Sequence, residues 1–311
     1  MADQRDVFTG NVRSGPFHED VLDEIFQITP EETPFYNMIG ESNAASVFHS
    51  WSTRSLTTRA DNRQVEGKEY NIGAMADSSL PARQNNWCQI VDKLPRVTRT
   101  EQTLDATGIS DLMADQISLR QIELKTDMEH ALLRGSVNSG PTNDGDTSAV
   151  RALGGFHNIL TTGTTVQSPA TLTETLFNDM FDRGWQRGAS MRDVLVGGSL
   201  KRRISGYTAS STKYVFQEDK RITNAVDVYE SDFFLTQIHK SHDVPNTATG
   251  TLPRLAVYAF DRDMYKKAWL RKPMRRRLAD TADDYRAVCV AEFTLEFGHP
   301  GAGEKLTGFT T

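Results

Sequence analysis

Residues 271–277 form the densest cluster of positive charge in the chain, Arg271-Lys272-Pro273-Met274-Arg275-Arg276-Arg277. Clustered guanidinium and ammonium groups can neutralise phosphates, and binding of that kind weakens as salt rises. No run of aromatic residues accompanies the cluster, so stacking on unpaired bases is not indicated. The pattern predicts contact with DNA or with acidic side chains of a neighbouring subunit. The residues that would make this contact are Arg271, Lys272, Arg275, Arg276 and Arg277.

A second pattern that could bind an anion is the glycine turn Gly197-Gly198-Ser199. It follows the apolar residues 194–196 and precedes a helical stretch at 200–205, and backbone N–H groups at such a helix start attract anions. A tight turn that lets a helix fold back on a sheet needs the same residues, and we favour that interpretation. An α+β anion-binding enzyme that uses Gly197 and Gly198 is kept as an alternative.

The chain lacks the common catalytic and metal-binding motifs. It contains no GxSxG, HExxH, Walker loop, GxGxxG or CxxC. Only His239 and His242 lie close together, and a spacing of three on a strand places two side chains on opposite faces, away from a shared metal. Cys88 and Cys289 adjoin apolar residues and are expected to be small core residues rather than a disulfide. We therefore expect no enzyme activity, with no catalytic residue, no cofactor and no metal site.

The length of 311 residues suits two domains, or one large domain with extensions. A hydrophobic content of 38% and a mean hydropathy of −0.49 predict that a good part of the chain lies outside a core. No apolar run approaches the roughly 20 residues that span a bilayer. Residues 1–6 lack the basic and apolar regions of a secretory signal. We expect a protein that is made in the cytoplasm and has no membrane partner.

Charge is separated along the chain, although the net charge is only −6. Residues 1–41 carry nine acids and two bases, whereas residues 254–277 carry nine bases and two acids. An acidic segment and a basic segment of matching size predict electrostatic pairing, within a subunit or between neighbours. By its overall composition the chain is not a nucleic-acid binder.

The first hundred residues offer few apolar anchors. Residues 1–42 are typical of an arm with one short helical signal at 21–26, which Pro30 ends. Residues 43–104 contain scattered strand signals, including one at 97–103. A loosely packed insertion is one interpretation of that stretch, and a long hairpin that lies on a neighbouring subunit is the other.

The most regular pattern predicts a long helix over residues 105–134, which starts at Asp105 or Thr107 and stops at Gly135. Its two apolar stripes indicate a spine that is packed on both sides. A polar loop is predicted at 135–150, and a capping-box pattern that begins at Thr171 predicts a second helix running to Gly188. Strands are predicted at residues 194–196, 214–216, 226–229, 233–239, 255–260, 267–270 and 287–297. The chain is therefore expected to be α+β.

Eight segments, taken in order, resemble the major capsid proteins of tailed bacteriophages with the Hong Kong phage capsid fold. They are TPFYNMIG with WSTRSL (33–40 and 51–56), VEG (65–67), ELKTDMEHALL (123–133), RALGG (151–155), VLVGGSLKRRI (194–204), VYESDF (228–233), LRKP (270–273) and EFTLE (292–296). Together they cover roughly residues 33–305. Their order along the chain carries the resemblance.

This resemblance implies an α+β phage major capsid fold. Its parts would be an N-arm (1–42), an extended loop hairpin (43–104), a peripheral domain with the spine helix (105–168), an axial domain whose central sheet is flanked by helices (169–250), and return strands of both domains (251–311). It implies a structural virion protein that assembles with itself as hexamers and pentamers into the icosahedral head around double-stranded DNA.

Portal, scaffold and cement or decoration proteins would be further partners, and the protein would be made and assembled in the host cytoplasm. The alternative within the same fold is an encapsulin-like nanocompartment shell, which encloses cargo proteins instead of DNA.

Overall fold

The computed structural model of the chain describes residue 29 and residues 31–56, 59–61, 63–69, 80–104, 108–140, 150–160, 164–207, 227–244, 255–279 and 282–309, with the backbone alone for 164–170. The helix predicted at 21–26, the strand predicted at 214–216 and residues 141–149 of the predicted polar loop lie outside these ranges. Most of the predicted arm also lies outside them.

The described residues combine helices and strands in mixed order, which confirms the α+β prediction. The helices are α1 (Pro34–Met38), α2 (Arg99–Thr103), α3 (Leu112–Arg134), α4 (Phe156–Ile159), α5 (Glu174–Gln186) and α6 (Gly198–Tyr207). The strands are β1 (Gly40–Asn43), β2 (Phe48–Thr53), β3 (Ala82–Trp87), β4 (Gln89–Lys93), β5 (Arg96–Thr98), β6 (Thr164–Ala170), β7 (Asp193–Val196), β8 (Val228–Glu230), β9 (Leu235–Lys240), β10 (Leu255–Phe260), β11 (Tyr265–Arg277), β12 (Asp284–Phe297) and β13 (Gly303–Phe309).

The first sheet is built around the two longest strands and has the order β1-β11-β12-β4, with β5 paired to the start of β12. β12 pairs with β11 as far as Arg277, whereas β1 pairs with β11 only up to Trp269. The outer part of β11 is therefore an edge. The prediction of a strand limited to 267–270 is wrong, because a register shift between Arg271 and Met274 accommodates Pro273 within the ladder.

The spine helix α3 starts later than predicted. Asp111 is its N-cap, and the Asp111 carboxylate accepts the Ala114 N–H at 3.1 Å, so the helix begins at Leu112 rather than near Asp105 or Thr107. The predicted stop at Gly135 is confirmed.

The strand signal predicted at 97–103 is wrong in its second part, where the chain forms the short helix α2. Thr98 accepts the Glu101 N–H at 3.2 Å, and the Glu101 carboxylate accepts the Thr98 N–H at 3.0 Å. This reciprocal capping box starts a helix at Arg99.

The spine helix is buried over only half of its length. Its buried side chains all belong to the second half: Leu124, Met128, Glu129, Ala131, Leu132 and Leu133. In the first half, Met113 and Ile117 are half-buried. The predicted packing on both sides therefore holds, within the described residues, only for the second half.

The second sheet has six strands in the order β6-β13-β10-β7-β9-β8. α5 and α6 cover one of its faces, where Phe177, Phe181 and Ile204 pack with Val194 and Val257. α5 begins at Glu174 because Thr173, not the predicted Thr171, accepts the Leu176 N–H as N-cap. This arrangement confirms a central sheet flanked by helices.

The two sheets share a core through β10, whose six residues are all buried. Val257 and Ala259 point into the core under α5 and α6. Tyr258 and Phe260 point the other way, into the core that also holds Leu132 of the spine helix. A strand buried on both faces explains why the apolar run at 255–260 was predictable as a strand.

β2 and β3 form a separate two-stranded antiparallel sheet, with register from Phe48↔Trp87 to Thr53↔Ala82. This confirms the hairpin interpretation for the stem and rejects the loosely packed insertion there. Residues 54–81 connect the two strands at the far end.

Candidate interface site

The five predicted cations lie together on the outer part of β11. Residues 271–277 are all exposed, because β1 does not extend along this edge. Basic side chains and a proline on an open edge hinder pairing with a further strand. We call residues 271–277 the basic strand end. Its cations share a strand but have three different environments.

Arg271 is bound inside the subunit. Its Nε donates to Glu292 at 2.8 Å, and Nη2 of Arg151 donates to the other carboxylate oxygen at 2.7 Å. The Glu292 side chain is only 6% exposed. A buried carboxylate needs such cations close to it. Arg271 therefore stabilises the first sheet from within the subunit. The alternating pattern of β12 does not predict this ion pair, because Glu292 occupies a position typical of a solvent-facing residue.

Arg275 and Arg277 point toward the start of the spine helix. Together they border a cavity of about 270 Å³, which we call the tip pocket. Its lining consists of Asp111, Met113, Ala114, Ile117, Arg275, Arg277, Tyr285, Arg286 and Ala287. The guanidinium groups of Arg99 and Arg277 lie 5.5 and 5.4 Å from the centre of the Tyr285 ring, at cation–π distance. The tip pocket thus combines an apolar floor with a basic wall.

Lys272 and Arg276 do not line the tip pocket. In the part of the chain that the structure describes, no carboxylate lies within ion-pair distance of Lys272, Arg275 or Arg276. These three cations are therefore the members of the predicted set that can still bind an external anion.

The hairpin stem is held on the first sheet by a buried amide. The Asn86 side chain is 2% exposed and donates to the carbonyls of Gly154 at 3.0 Å and Leu295 at 2.9 Å, while its oxygen accepts the Gly154 N–H at 2.8 Å. Trp51 packs edge-on against Phe297 with 4.8 Å between ring centres. Sequence reasoning missed both anchors, since neither depends on local periodicity.

The loop that leaves this stem carries apolar side chains in water. Leu56 is 94% exposed, Val65 81% and Leu80 85%. Single exposed apolar residues are common on protein surfaces. Three on one projecting loop, however, supply apolar area that a second molecule can cover.

A buried acid links the segment before β1 to the spine helix. Glu129 accepts the Phe35 N–H at 3.0 Å and the Tyr36 N–H at 2.6 Å. Lys267 donates to the Tyr36 carbonyl at 2.8 Å and lies over the Tyr36 ring. Burial raises the pKa of Glu129 to about 7, against the lowering effect of the two N–H groups.

The glycine turn does not have the features of an anion cradle. A Cβ on Gly198 would meet nothing within 4 Å, so no close approach requires a glycine there. Lys201, the cation nearest to the turn, is buried and donates to Asp227 at 2.9 Å and to the Ile238 carbonyl at 3.3 Å. This disfavours the anion-binding enzyme.

The histidines do not assemble a metal site within the described residues, where no group of three or more His, Cys, Asp or Glu side chains could hold an ion. His239 is bound to Asp193 at 3.1 Å. His242 lies beyond the end of β9.

Cys88 and Cys289 are free and buried, as predicted. Burial is the main cause that raises the pKa of Cys88 to about 11. This places its thiol firmly in the protonated form at neutral pH.

No helix in the described ranges is long and apolar enough to cross a membrane.

The spine helix on a long two-strand ladder, the separate hairpin stem and the second, helix-covered sheet together form the fold of solved phage capsid subunits. Solved capsids share this fold over nearly the whole chain. The cyanophage A-1(L) capsid subunit matches with a TM-score of 0.65 and 13% identity, over 95% of this chain and 98% of that one. A chain of Gordonia phage Cozz matches with a TM-score of 0.60 and 11% identity, over 95% and 92%.

The model of the SU10 major capsid protein family matches residues 3–310, and the chain belongs to that family. The major capsid protein of Escherichia phage Phieco32 is 23% identical over 90% of each chain. The protein is thus a phage major capsid protein, a structural component of the virion and not an enzyme. The resemblance to the Hong Kong phage capsid fold is confirmed.

Proposed function

We propose that copies of this protein assemble as hexamers and pentamers into the icosahedral shell of a tailed-phage head that encloses double-stranded DNA. The observation that carries the proposal is family membership over residues 3–310. The same proposal divides the chain into an arm (1–42), an extended loop (43–104), a peripheral domain (105–168), an axial domain (169–250) and return strands (251–311). It also includes synthesis in the host cytoplasm and contacts with portal, scaffold and decoration proteins.

The hairpin is proposed to lie on a neighbouring copy. Its stem is fixed by Asn86 and Trp51, so the loop beyond it projects from a rigid base. Covering Leu56, Val65 and Leu80 would remove apolar area from water, at about 25 cal/mol per Å². Many such contacts, repeated by closed symmetry, stabilise a shell even if each is small.

The basic strand end is proposed to contact an anion outside the subunit. Lys272 and Arg276 are exposed and have no carboxylate partner among the described residues. They would face either phosphates of the packaged DNA or acidic side chains of a neighbour. Arg271 is not expected to take part, because Glu292 holds it.

The test replaces residues 54–81 by Asn-Gly, a turn that suits the two-residue connection of a hairpin stem. Both strands and Asn86 remain, so we expect a subunit with unchanged thermal unfolding that forms no shells in negative-stain electron microscopy and sedimentation velocity. A second variant keeps the loop length and replaces Leu56, Val65 and Leu80 by serine. Its matched control replaces Arg59, Gln64 and Glu69 by serine. Shells of normal size from the first two variants would contradict the role of the hairpin.

The contents of purified particles separate the head from a nanocompartment. Nuclease-protected double-stranded DNA inside particles from infected cells supports the head. Particles that hold a co-purifying enzyme and no DNA would support the encapsulin-like alternative instead.

A further inference from the structure

A histidine lies at the point where the hairpin loop leaves its stem. His299 follows β12, and Nε2 of its ring lies 2.9 Å from Oγ of Ser55, two residues beyond the end of β2. The other ring nitrogen, Nδ1, accepts the Gly301 N–H at 3.0 Å, in the turn that leads into β13. One side chain therefore connects the exit of the hairpin to the second sheet. We call Ser55, His299 and Gly301 the exit joint.

The contact with Gly301 determines which nitrogen of the His299 ring carries the proton. A backbone N–H can only donate, so Nδ1 must present its lone pair to Gly301. The neutral ring then carries its proton on Nε2, which donates to Oγ of Ser55. Both hydrogen bonds of the exit joint therefore exist together only while His299 is neutral.

Protonation of His299 is incompatible with this arrangement. It places a second N–H on Nδ1, directly opposite the Gly301 N–H. Gly301 is buried, so its N–H is costly to leave without an acceptor. The imidazolium ring must therefore turn away from Gly301, and Nε2 leaves Ser55 with it. Histidine is the side chain that ordinarily changes charge between pH 5 and 8.

The surroundings of the exit joint do not compensate a charged His299. Within the described ranges, the histidines at ion-pair distance from a carboxylate are His49, His130 and His239, and not His299. The nearest charged side chain known at the turn is that of Arg187, a cation that Glu304 already holds. The titratable and charged groups on the elements around the joint are Arg54 before Ser55, Arg187 beyond α5, Asp261, Arg262 and Asp263 before β11, Tyr265 on β11, Glu296 on β12 and Glu304 on β13.

A second histidine holds the stem of the same hairpin and responds to protons in the opposite sense. Nε2 of His49 lies 3.2 Å from Oε2 of Glu296, which also accepts the Ser42 hydroxyl at 2.6 Å. A protonated His49 forms an ion pair with this carboxylate, so the stem contact becomes stronger as the pH falls. The bonds of the Asn86 amide do not depend on pH in this range. Acid therefore acts on the exit of the hairpin and leaves its stem attached.

We propose that the exit joint is a pH-sensitive hinge of the hairpin loop. Neutral His299 fixes the direction in which the loop leaves the stem, and protonated His299 frees the loop while the stem stays on the first sheet. The hinge is a property of a single subunit. Its consequence for a loop that lies on a neighbouring copy, a change of direction between copies, rests on the proposed function.

Nitrogen-15 NMR of the imidazole rings in the unassembled full-length subunit tests the first step, because protonated and unprotonated ring nitrogens have well-separated shifts. The signals of His299 are those that vanish in His299→Asn. At pH 8 they should show the proton on Nε2. A proton on Nδ1 at this pH would overturn the proposal, since the bond from Gly301 could not then exist.

Hydrogen exchange, corrected for the intrinsic pH dependence of the chemical rate, tests the response to protons. Protection of peptides that cover residues 298–303 should fall about tenfold from pH 8 to pH 5, with little change for residues 82–93. In His299→Asn the amide oxygen can still accept the Gly301 N–H as N-cap and does not titrate, so the fall should be absent. His49→Gln, the matched control, should keep it. No fall in the wild type, or an equal fall in His299→Asn, would overturn the hinge.

A distance measurement tests the release of the loop. Spin labels are attached at Leu56→Cys, next to the joint, and at Asp179→Cys on the exposed side of α5, and the native cysteines are buried and do not compete. The distance distribution should be narrow at pH 8 and broad at pH 5. Adding Ser55→Ala, which removes one bond of the joint but keeps the bond from Gly301, should make it broad at both. The same width at both pH values in the labelled protein without Ser55→Ala would overturn the hinge. None of these measurements involves assembly, so such a result leaves the proposed capsid function untouched.

Discussion

The carboxylate of Glu129 accepts the backbone N–H of Phe35 at 3.0 Å, although 94 residues separate the two in sequence. Glu129 is fully buried in the second half of the spine helix, and Phe35 is fully buried in the core. One carboxylate thus fixes the place where the chain enters the first sheet. Among the described residues Glu129 has no direct ion pair, and its burial favours the neutral form of the carboxyl group.

Replacing Glu129 by glutamine should remove a pH dependence of stability. The folded-state pKa is raised from 4.5 to about 7, so the contribution of Glu129 to stability is fully present below pH 4.5 and is lost as the pH rises through 7. The free energy of unfolding of the wild type should therefore fall by up to about 3 kcal/mol more than that of Glu129→Gln over this range. Chemical unfolding of unassembled subunits at a series of pH values measures the difference. Parallel curves for the two proteins would contradict it.

Asn86→Ala should loosen the hairpin stem. The substitution leaves the Gly154 N–H and the Gly154 and Leu295 carbonyls without their partner in a buried place. We expect a loss of about 1–3 kcal/mol in the free energy of unfolding, with faster hydrogen exchange in β2 and β3. Asn85 is exposed on the same strand, so Asn85→Ala should change stability by less than about 0.5 kcal/mol. Similar losses for the two variants would show that Asn86 is not an anchor.

Local patterns were sufficient for the positions of several of the longer elements, but not for short elements such as α4 or for the strands β6 and β13. The run at 255–260 and the alternation at 287–297 both lie within strands, and Gly135 ends the spine helix. Start positions were less accurate, because several residues within a few positions can cap a helix. Thr173 caps α5 where the pattern favoured Thr171. The outer part of β11 was not predicted for another reason. Residues 274–277 are extended because they pair with β12, and arginine has no strong preference for strands that would reveal this in the sequence.

The buried charges could not be predicted, because their partners come from distant parts of the chain. Glu292 pairs with Arg151, 141 residues away, and Asp193 pairs with Arg262, 69 residues away. Along the sequence these acids look like solvent-facing residues. The five cations of the basic strand end are neighbours in the sequence, but their division between an internal ion pair, the tip pocket and solvent is set by tertiary structure alone.

Three arginines on or near this strand should differ in their effect on stability. Arg151 bridges Glu292 and the Cys88 carbonyl, so Arg151→Ala should cost most, about 2–3 kcal/mol. Arg271 is 45% exposed and leaves Glu292 with Arg151, so Arg271→Ala should cost about 1 kcal/mol. Arg276→Ala should be neutral within about 0.5 kcal/mol. Urea unfolding of the three variants gives the order, and a loss for Arg276→Ala as large as that for Arg151→Ala would reject this account.

Two glycine substitutions separate a packing role from an anion-binding role. A Cβ on Gly155 would lie 2.5 Å from the Gly135 nitrogen and 2.7 Å from the Ala131 carbonyl oxygen, both backbone atoms that cannot move aside. Gly155→Ala should therefore lower the free energy of unfolding by about 1–3 kcal/mol. Gly198 meets open space and is the first residue of α6, so Gly198→Ala should be neutral or should stabilise the subunit by up to about 1 kcal/mol.

Shell formation provides a second test of the role of Gly198. Gly198→Ala should assemble like the wild type in electron microscopy, because no contact of the fold depends on a missing Cβ there. An anion cradle would need the ligand to approach the backbone at Gly198, and a methyl group would weaken that approach. Loss of assembly in a folded and stable Gly198→Ala variant would contradict this expectation, whereas an anion-binding role would show as loss of ligand binding with assembly unchanged.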